Sequence, residues 1–176
     1  YNSLSDSSIP TEFGQLTAVT SANLYSSIYS TTGELTGTIP TELGKLVKIN
    51  TYFNLYSQKL TGSIPTELGK LVALKSYFRL DANSLTSSIP TQLGMLTAAF
   101  TYYFYLRSNQ LCGAVPDEVQ VLSSQVSSWY VTSGNDLGTT CGYADEWPKL
   151  PTSLPTGGTR SIEGFNGKSF TGTIPT

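Results

Sequence analysis

The chain has 176 residues, a formal net charge of −2 and only 12% charged residues, and it contains two Cys and no His. The lack of His excludes a catalytic imidazole and a His metal site, and two Cys cannot complete the usual four-ligand zinc site. No basic run offers the positive surface that nucleic acid or an anionic membrane requires.

An Ile-Pro or Val-Pro pair recurs along the chain and sets its period. Ile39, Ile64, Ile89 and Val115 follow one another at intervals of 25, 25 and 26 residues, and Ile9 lies 30 residues before Ile39. Such regular intervals indicate a solenoid, because one repeat unit cannot bury its apolar side chains without the units beside it. The period therefore predicts stacked coils.

The first half of a unit predicts a short helical turn, as the unit that begins at Leu60 illustrates. Pro65 is expected at the first helical position, where its missing N–H would be unpaired in any case. Leu68 and Leu71 are expected to point inward, against the neighbouring coils.

The second half of a unit predicts a short strand and a turn. Phe78 and Leu80 alternate as in a strand, and an Asn follows where the chain must turn. We predict that these Asn side chains bond to the turn backbone and form a ladder along the stack. The predicted ladder residues are Asn83, Asn109 and, slightly shifted, Asn135. Gln58 replaces the Asn of an earlier unit and is expected to weaken one rung.

The pattern L-T-G-x-I-P-x-E-L-G-x-L, which occurs at 35–46 and 60–71, resembles the plant-type class of leucine-rich repeat. This class occurs in receptor ectodomains and secreted inhibitors of plants and algae. The resemblance covers about residues 4–141. It implies an α/β repeat solenoid, a right-handed coil with short parallel strands on its concave face and short 3-10 or helical turns on its convex side.

The units are slightly longer than is usual for this class, and the extra residues are aromatic and precede the strand. A bulge or a longer loop is expected there, and residues 24–35 of the longer first unit are expected to loop out. The Phe positions, where Leu is usual, are Phe53, Phe78 and Phe104. We predict that these side chains lie in the core. The Tyr positions are Tyr52, Tyr77 and Tyr102 or Tyr103. For them, core packing and a ligand-contacting column along one edge both stay open.

The C-terminal part of the chain leaves the repeat pattern. The resemblance implies that a disulfide between Cys112 and Cys141 closes the solenoid, residues 1–141, with two buried free thiols as the alternative. A disulfide implies an oxidising compartment. Residues 142–160 are rich in Pro, Thr and Gly and predict a linker, and residues 161–176 begin a further, truncated repeat. We interpret the chain as a fragment of a longer ectodomain or secreted repeat protein.

Paired carboxylates are the remaining candidates for catalysis. Glu42 and Glu67 occupy equivalent positions in successive units, and Asp117 and Glu118 follow later. These positions predict the first turn of a helix on the convex side, where a carboxylate favours the helix dipole. The chain is therefore predicted not to be an enzyme, with no cofactor and no metal.

The concave face is the predicted binding surface, because in this family the variable residues of the strand and the following loop lie there. The candidate residues are Asn54, Tyr56, Arg79, Asp81, Tyr105, Arg107 and Thr132. Tyr and Arg are enriched at protein interfaces, so the predicted ligand is a protein, a peptide or a glycan. The alternative is that these residues occupy exposed strand positions without any ligand.

A surface rich in Ser and Thr and poor in charge suits an extracellular or cell-surface protein, and no apolar run approaches the roughly 20 residues of a membrane span. A second hypothesis is a structural building block of a wall, sheath or appendage, in which copies of the chain are the partners. Ice binding is a third. The convex Thr positions that favour it are Thr38, Thr41, Thr66 and Thr91, interrupted by Ser63 and Ser88.

Overall fold

The computed structural model describes residues 8–23, 35–96 and 102–141, together with the backbone of residues 160–164 and 168–172. The chain divides into two compact units, Tyr1–Gly142 and Tyr143–Thr176. In the first unit, strands of two parallel sheets alternate along the chain with short helical turns. This arrangement confirms the predicted repeat solenoid.

Among the described residues of the first unit, ten short strands build two sheets. They are β1 (Ala22–Asn23), β2 (Thr36–Thr38), β3 (Tyr52–Asn54), β4 (Lys59–Gly62), β5 (Tyr77–Arg79), β6 (Ser84–Ser88), β7 (Tyr103–Tyr105), β8 (Gln110–Gly113), β9 (Ser128–Tyr130) and β10 (Asp136–Leu137). The first sheet has the order β1-β3-β5-β7-β9, and the second has the order β10-β8-β6-β4-β2. Each coil therefore supplies one strand to each sheet.

The pairing in the first sheet keeps equivalent residues side by side. Phe53 pairs with Phe78, and Phe78 pairs with Phe104. The residues of β3, β5 and β7 pair one to one, so these strands contain no bulge. The other predicted explanation for the extra residues, a longer loop before the strand, stays a prediction. The predicted loop at 24–35 lies, apart from Leu35, outside the described residues.

Short helices lie between the second-sheet strand of one coil and the first-sheet strand of the next. They are the 3-10 helices Thr11–Gln15, Thr41–Lys45, Thr66–Lys70, Thr91–Met95 and Val121–Ser124, and α1 (Asp117–Gln120). Pro65 lies one residue earlier than predicted, since it is the N-cap with an extended ψ of 135° and the helix begins at Thr66. Its fixed φ of −64° suits either position. Leu68 and Leu71 are fully buried, as predicted.

The core is one continuous column of apolar side chains contributed by every described coil. Phe78 stacks between Phe53 and Phe104, with ring centroids 5.5 Å and 5.2 Å apart, and Trp129 continues the stack 5.0 Å from Phe104. The predicted core position of the three Phe residues is confirmed, because all of them are buried.

Asn side chains bond successive coils to one another beneath the turns. The Asn109 Oδ1 accepts the Leu85 N–H at 3.0 Å, and its Nδ2 donates to the carbonyl oxygens of Leu80 and Leu106 at 3.0 Å and 2.9 Å. Asn83 and Asn135 make the same kinds of bond one coil earlier and one coil later. Each side chain therefore satisfies backbone groups of its own coil and of the preceding one.

Gln58 occupies the corresponding place in the earlier coil. Its Oε1 accepts the Leu35 N–H at 2.8 Å, so the bond to the preceding coil is present. Its Nε2 donates to the carbonyls of Tyr56 and Ser57, both in its own coil. The longer side chain thus reaches the backbone donor that is equivalent to the one Asn83 bonds in the next coil.

A disulfide joins Cys112 on β8 to Cys141, which follows β10. It ties the last described segment of the first unit to the penultimate strand of the second sheet. In the second unit, β11 (Arg160–Gly164) and β12 (Lys168–Gly172) form an antiparallel pair. The predicted linker at 142–160 lies, except for the backbone of Arg160, outside the described residues.

Candidate functional site

The outward side chains of the first sheet form one surface, here called the strand face. Side chains alternate along a strand, so the residues on either side of each core Phe or Trp point away from the core. Backbone bonds such as Ser57 N–H to Asp81 O continue the alignment of coils beyond the strands. The strand face therefore has three rows. They are Tyr52, Tyr77, Tyr103 and Ser128; Asn54, Arg79, Tyr105 and Tyr130; and Tyr56, Asp81, Arg107 and Thr132.

The first row is a stack of tyrosine rings. Tyr77 lies between Tyr52 and Tyr103, with ring centroids 4.6 Å and 4.7 Å apart and small interplanar angles. Of the two interpretations left open, the rings form a column outside the core, completed by Tyr103 rather than Tyr102, and contact of this column with a ligand stays a prediction. Tyr102 lies beside the column, 6.2 Å from Tyr77. Desolvation raises the pKa of the Tyr77 hydroxyl above its usual value, and the phenol groups of Tyr103 and Tyr52 raise it further.

Two arginines and one aspartate meet between the second and third rows. Arg79 donates from Nε and Nη2 to the two carboxylate oxygens of Asp81 at 3.1 Å and 3.0 Å, a bidentate pair. The Asp81 side chain is only 1% exposed. Arg107 approaches the same carboxylate more loosely, with its Nε 3.8 Å from Asp81 Oδ2, and its side chain is 43% exposed. The buried carboxylate thus positions both guanidinium groups.

Tyrosine rings alternate with these two guanidinium groups across the coils. Arg79 lies over the Tyr56 ring at 4.3 Å and over the Tyr105 ring at 5.2 Å. Arg107 lies over Tyr105 at 5.7 Å and over Tyr130 at 4.8 Å. Cations at these distances are attracted to the ring faces, which holds the long side chains in place. The result is a preorganised cluster of three tyrosines and two arginines.

The structure brings four of the seven predicted site residues together in the cluster, and the other three lie beneath or beside it. Tyr56, Arg79, Tyr105 and Arg107 belong to the cluster. Two further members of the predicted set, Asn54 and Asp81, are buried. The Asn54 Oδ1 accepts the Tyr56 N–H at 3.0 Å, and Asp81 is covered by the arginines, so both support the surface from beneath. Thr132 is exposed just after β9.

Sequence reasoning missed Tyr130, which is 44% exposed and completes the cluster. It pairs with Tyr105 across β7 and β9, and their ring centroids are 4.9 Å apart. The signal was present, since the segment Trp129-Tyr130-Val131 aligns with Phe104-Tyr105-Leu106. The irregular last unit concealed that alignment.

The carboxylates considered for catalysis lie in the helical turns. Glu42 and Glu67 accept hydrogen bonds from the hydroxyls of Thr41 and Thr66 at 3.3 Å and 3.2 Å. Asp117 and Glu118 lie in the first turn of α1. Within the described ranges, no three His, Cys, Asp or Glu residues are grouped to hold a metal ion. No helix in the described part of the chain has the length and apolarity to span a bilayer.

No family model and no curated protein matches the chain, but solved structures do. The leucine-rich-repeat ectodomain of the membrane receptor kinase GASSHO1/SCHENGEN3 from Arabidopsis thaliana, in complex with CASPARIAN STRIP INTEGRITY FACTOR 2, is 34% identical, with a TM-score of 0.66 over 76% of this chain and 15% of that one. The Arabidopsis receptor kinase HAESA, in complex with the peptide hormone IDA and the co-receptor SERK1, is 30% identical, with a TM-score of 0.63 over 75% and 20%.

A plant ice-binding protein is also similar, with 31% identity and a TM-score of 0.61 over 74% of this chain and 38% of that chain. These similarities establish the leucine-rich-repeat fold and relate it to plant proteins. The chain spans about a fifth or less of the two receptor chains.

Proposed function

We propose that this leucine-rich-repeat solenoid is a non-catalytic extracellular module that recognises a peptide or an extended segment of a protein on its strand face. The observation that carries the proposal is the preorganised cluster of Tyr56, Arg79, Tyr105, Arg107 and Tyr130. Two of the similar receptor ectodomains are solved with bound partners, one of them a peptide hormone.

The composition of the cluster supports binding of a protein ligand. Tyr and Arg dominate the residues that contribute most to protein interfaces, because they combine large contact area with polar groups. Mutual packing of the rings and guanidinium groups lowers the entropy that they lose when a ligand binds. The strands beneath are held by the fully buried Phe78 and Phe104, so the scaffold of the site is rigid.

The disulfide supports the extracellular location in this proposal. Cys112 and Cys141 form a disulfide. Disulfides persist in oxidising compartments and are rare in cytosolic proteins. The similar receptor ectodomains support the same assignment. We therefore place the module outside the cell or at its surface, and we propose that residues 142–160 form a linker and residues 161–176 begin a further repeat.

Ice binding remains a second candidate because a similar solved structure is a plant ice-binding protein. Thr38 is exposed on β2, and Thr41, Thr66 and Thr91 begin successive 3-10 helices. Ser63 and Ser88 occupy the positions equivalent to Thr38 in the next two coils, so the row that begins at Thr38 does not continue as Thr. This surface differs from the strand face, so an ice-recrystallisation assay on variants of either surface separates the two functions.

Selection from a displayed library of random peptides tests the proposal. Peptides selected on the intact chain are retested on Tyr130→Ser, which alters the exposed end of the cluster, and on Met95→Ser, which alters an exposed residue of a 3-10 helix. We expect Tyr130→Ser to weaken binding about tenfold or more and Met95→Ser to leave it unchanged. Failure to select any peptide, or equal binding by both variants, contradicts the proposal.

A further inference from the structure

The strand face carries an uncompensated positive charge. Its charged side chains among the described residues are Arg79, Asp81 and Arg107, and the other members of the three rows are neutral. The other described carboxylates lie in helical turns or on β10 of the second sheet. They are Glu12, Glu42, Glu67, Asp117, Glu118 and Asp136. Two cations therefore share one anion.

The two arginines do not share that anion equally. Asp81 gives both of its oxygens to Arg79, in planar bidentate geometry at 3.1 Å and 3.0 Å. Arg107 lies 3.8 Å from Asp81 Oδ2, beyond ordinary hydrogen-bond distance, and is nearly twice as exposed as Arg79 at 43% against 23%. The excess charge is therefore concentrated on Arg107. Its guanidinium group is held in place, but its N–H groups do not donate a hydrogen bond to Asp81.

Two neighbouring tyrosine rings lie against the guanidinium group of Arg107. Tyr105 and Tyr130 lie 5.7 Å and 4.8 Å from its central carbon. An ion pair formed next to such rings loses more water than one on an open surface, and this raises its electrostatic strength. The rings also offer area for the apolar stem of a ligand side chain.

We infer that Arg107 binds the carboxylate of an acidic side chain in the peptide ligand, with Tyr105 and Tyr130 packing against the methylene groups of that side chain. The inference rests on the proposed peptide-binding function and adds its charge specificity. A single carboxylate balances the single excess charge, whereas a doubly charged phosphate overcompensates it. The planar fork of Arg107 also matches a carboxylate in bidentate geometry.

Asp81 is a positioning residue in this arrangement. It is buried beneath both arginines and already occupies the Nε and Nη2 donors of Arg79. The ligand carboxylate is therefore directed to the exposed side of Arg107. An acidic residue placed elsewhere along the strand face meets neutral side chains or Arg79, which Asp81 already pairs.

The experiment compares matched peptides on matched variants. An end-capped peptide with one Glu, taken from the displayed-library selection, and its Gln analogue are titrated by calorimetry into the intact chain. The variants are Arg107→Gln and, as a control for loss of a cation elsewhere, Lys70→Gln, an exposed residue of a 3-10 helix. We expect the Glu peptide to bind the unmodified chain and Lys70→Gln about tenfold more tightly than the Gln peptide does.

For Arg107→Gln we expect the two peptides to bind within about twofold of each other. Arg107→Lys keeps the charge without the planar fork and is expected to give an intermediate preference, provided that its thermal unfolding matches that of the unmodified chain. Equal affinities of the two peptides for the unmodified chain, or a Glu preference that survives Arg107→Gln, overturn the inference and leave peptide binding intact. If the library yields no binder, the proposed function fails first and the inference falls with it.

Discussion

Replacing Gly69 by Ala tests how closely neighbouring helical turns pack. A Cβ added at Gly69 would lie 2.2 Å from the carbonyl oxygen of Gln92 in the next coil and 2.7 Å from its carbonyl carbon. Optimal contacts between nonbonded carbon atoms are about 3.5–4.0 Å, so the coils would have to separate by roughly 1 Å. A backbone carbonyl cannot move aside as a flexible side chain does.

The expected sign of this substitution is opposite to the usual one. At an unhindered position Gly→Ala stabilises a helix by about 0.5–1 kcal/mol, because the unfolded chain loses freedom. Overpacking of a close contact costs about 1–3 kcal/mol. Separation of the coils also loosens the buried Leu68 and Leu71 against their neighbours. We therefore expect Gly69→Ala to lower the free energy of unfolding by about 1–2 kcal/mol.

Urea denaturation monitored by circular dichroism measures the effect, with the m-value showing whether the same surface is exposed. Lys70→Ala is the matched control, because this exposed neighbour belongs to the same 3-10 helix and is expected to change stability by less than about 0.5 kcal/mol. A urea midpoint for Gly69→Ala that equals or exceeds that of the unmodified chain, at equal m-value, would refute the packing argument.

Three further changes test other parts of the solenoid. Asn109→Ala leaves the Leu85 N–H without its partner and removes one of two Asn donors from the Leu80 and Leu106 carbonyls, so it is expected to cost about 1–3 kcal/mol in urea denaturation. Ser87 has a φ of 68°, in the left-handed region that strains residues other than Gly, so Ser87→Gly is expected to raise the free energy of unfolding by about 1 kcal/mol. A lowered midpoint of thermal unfolding would contradict this. The folded-state pKa of Tyr77 is raised, so its stabilising contribution is full below the ordinary value of about 10 and is lost as pH rises through the folded value. Thermal melts across roughly pH 9–11 should therefore fall less steeply for Tyr77→Phe than for the unmodified chain.

Features that repeat with the period were predictable from the sequence. Phe53, Phe78 and Phe104 recur at one position of the unit, and Asn83 and Asn109 at another, so their surroundings must also recur. In a solenoid each such residue meets its own equivalent in the next coil. Repetition along the chain therefore specifies contacts between coils, which a single unit does not.

The candidate site was less predictable because its residues differ from coil to coil. Asp81 occupies an outward position, yet its side chain is 1% exposed beside Arg79 and Arg107. Tyr130 lies in an irregular unit whose alignment with β7 is set by pairing in the sheet. Such burial depends on which side chains adjoin in space, so the pattern within one unit carries no signal for it.

The first and second rows differ in a way that bears on the ligand specificity of the proposed function. The first row repeats Tyr in three coils, and the faces of these rings stack on one another with centroids 4.6 Å and 4.7 Å apart. The second row changes from Asn54 to Arg79 to Tyr105, and its side chains contact the third row. A stack that satisfies itself adds rigidity but distinguishes few ligands, whereas unlike neighbours create a definite pattern of charge and shape. We therefore propose that the tyrosine column supports the edge of the strand face and that, in the proposed peptide-binding function, the adjacent arginines and tyrosines discriminate between ligands.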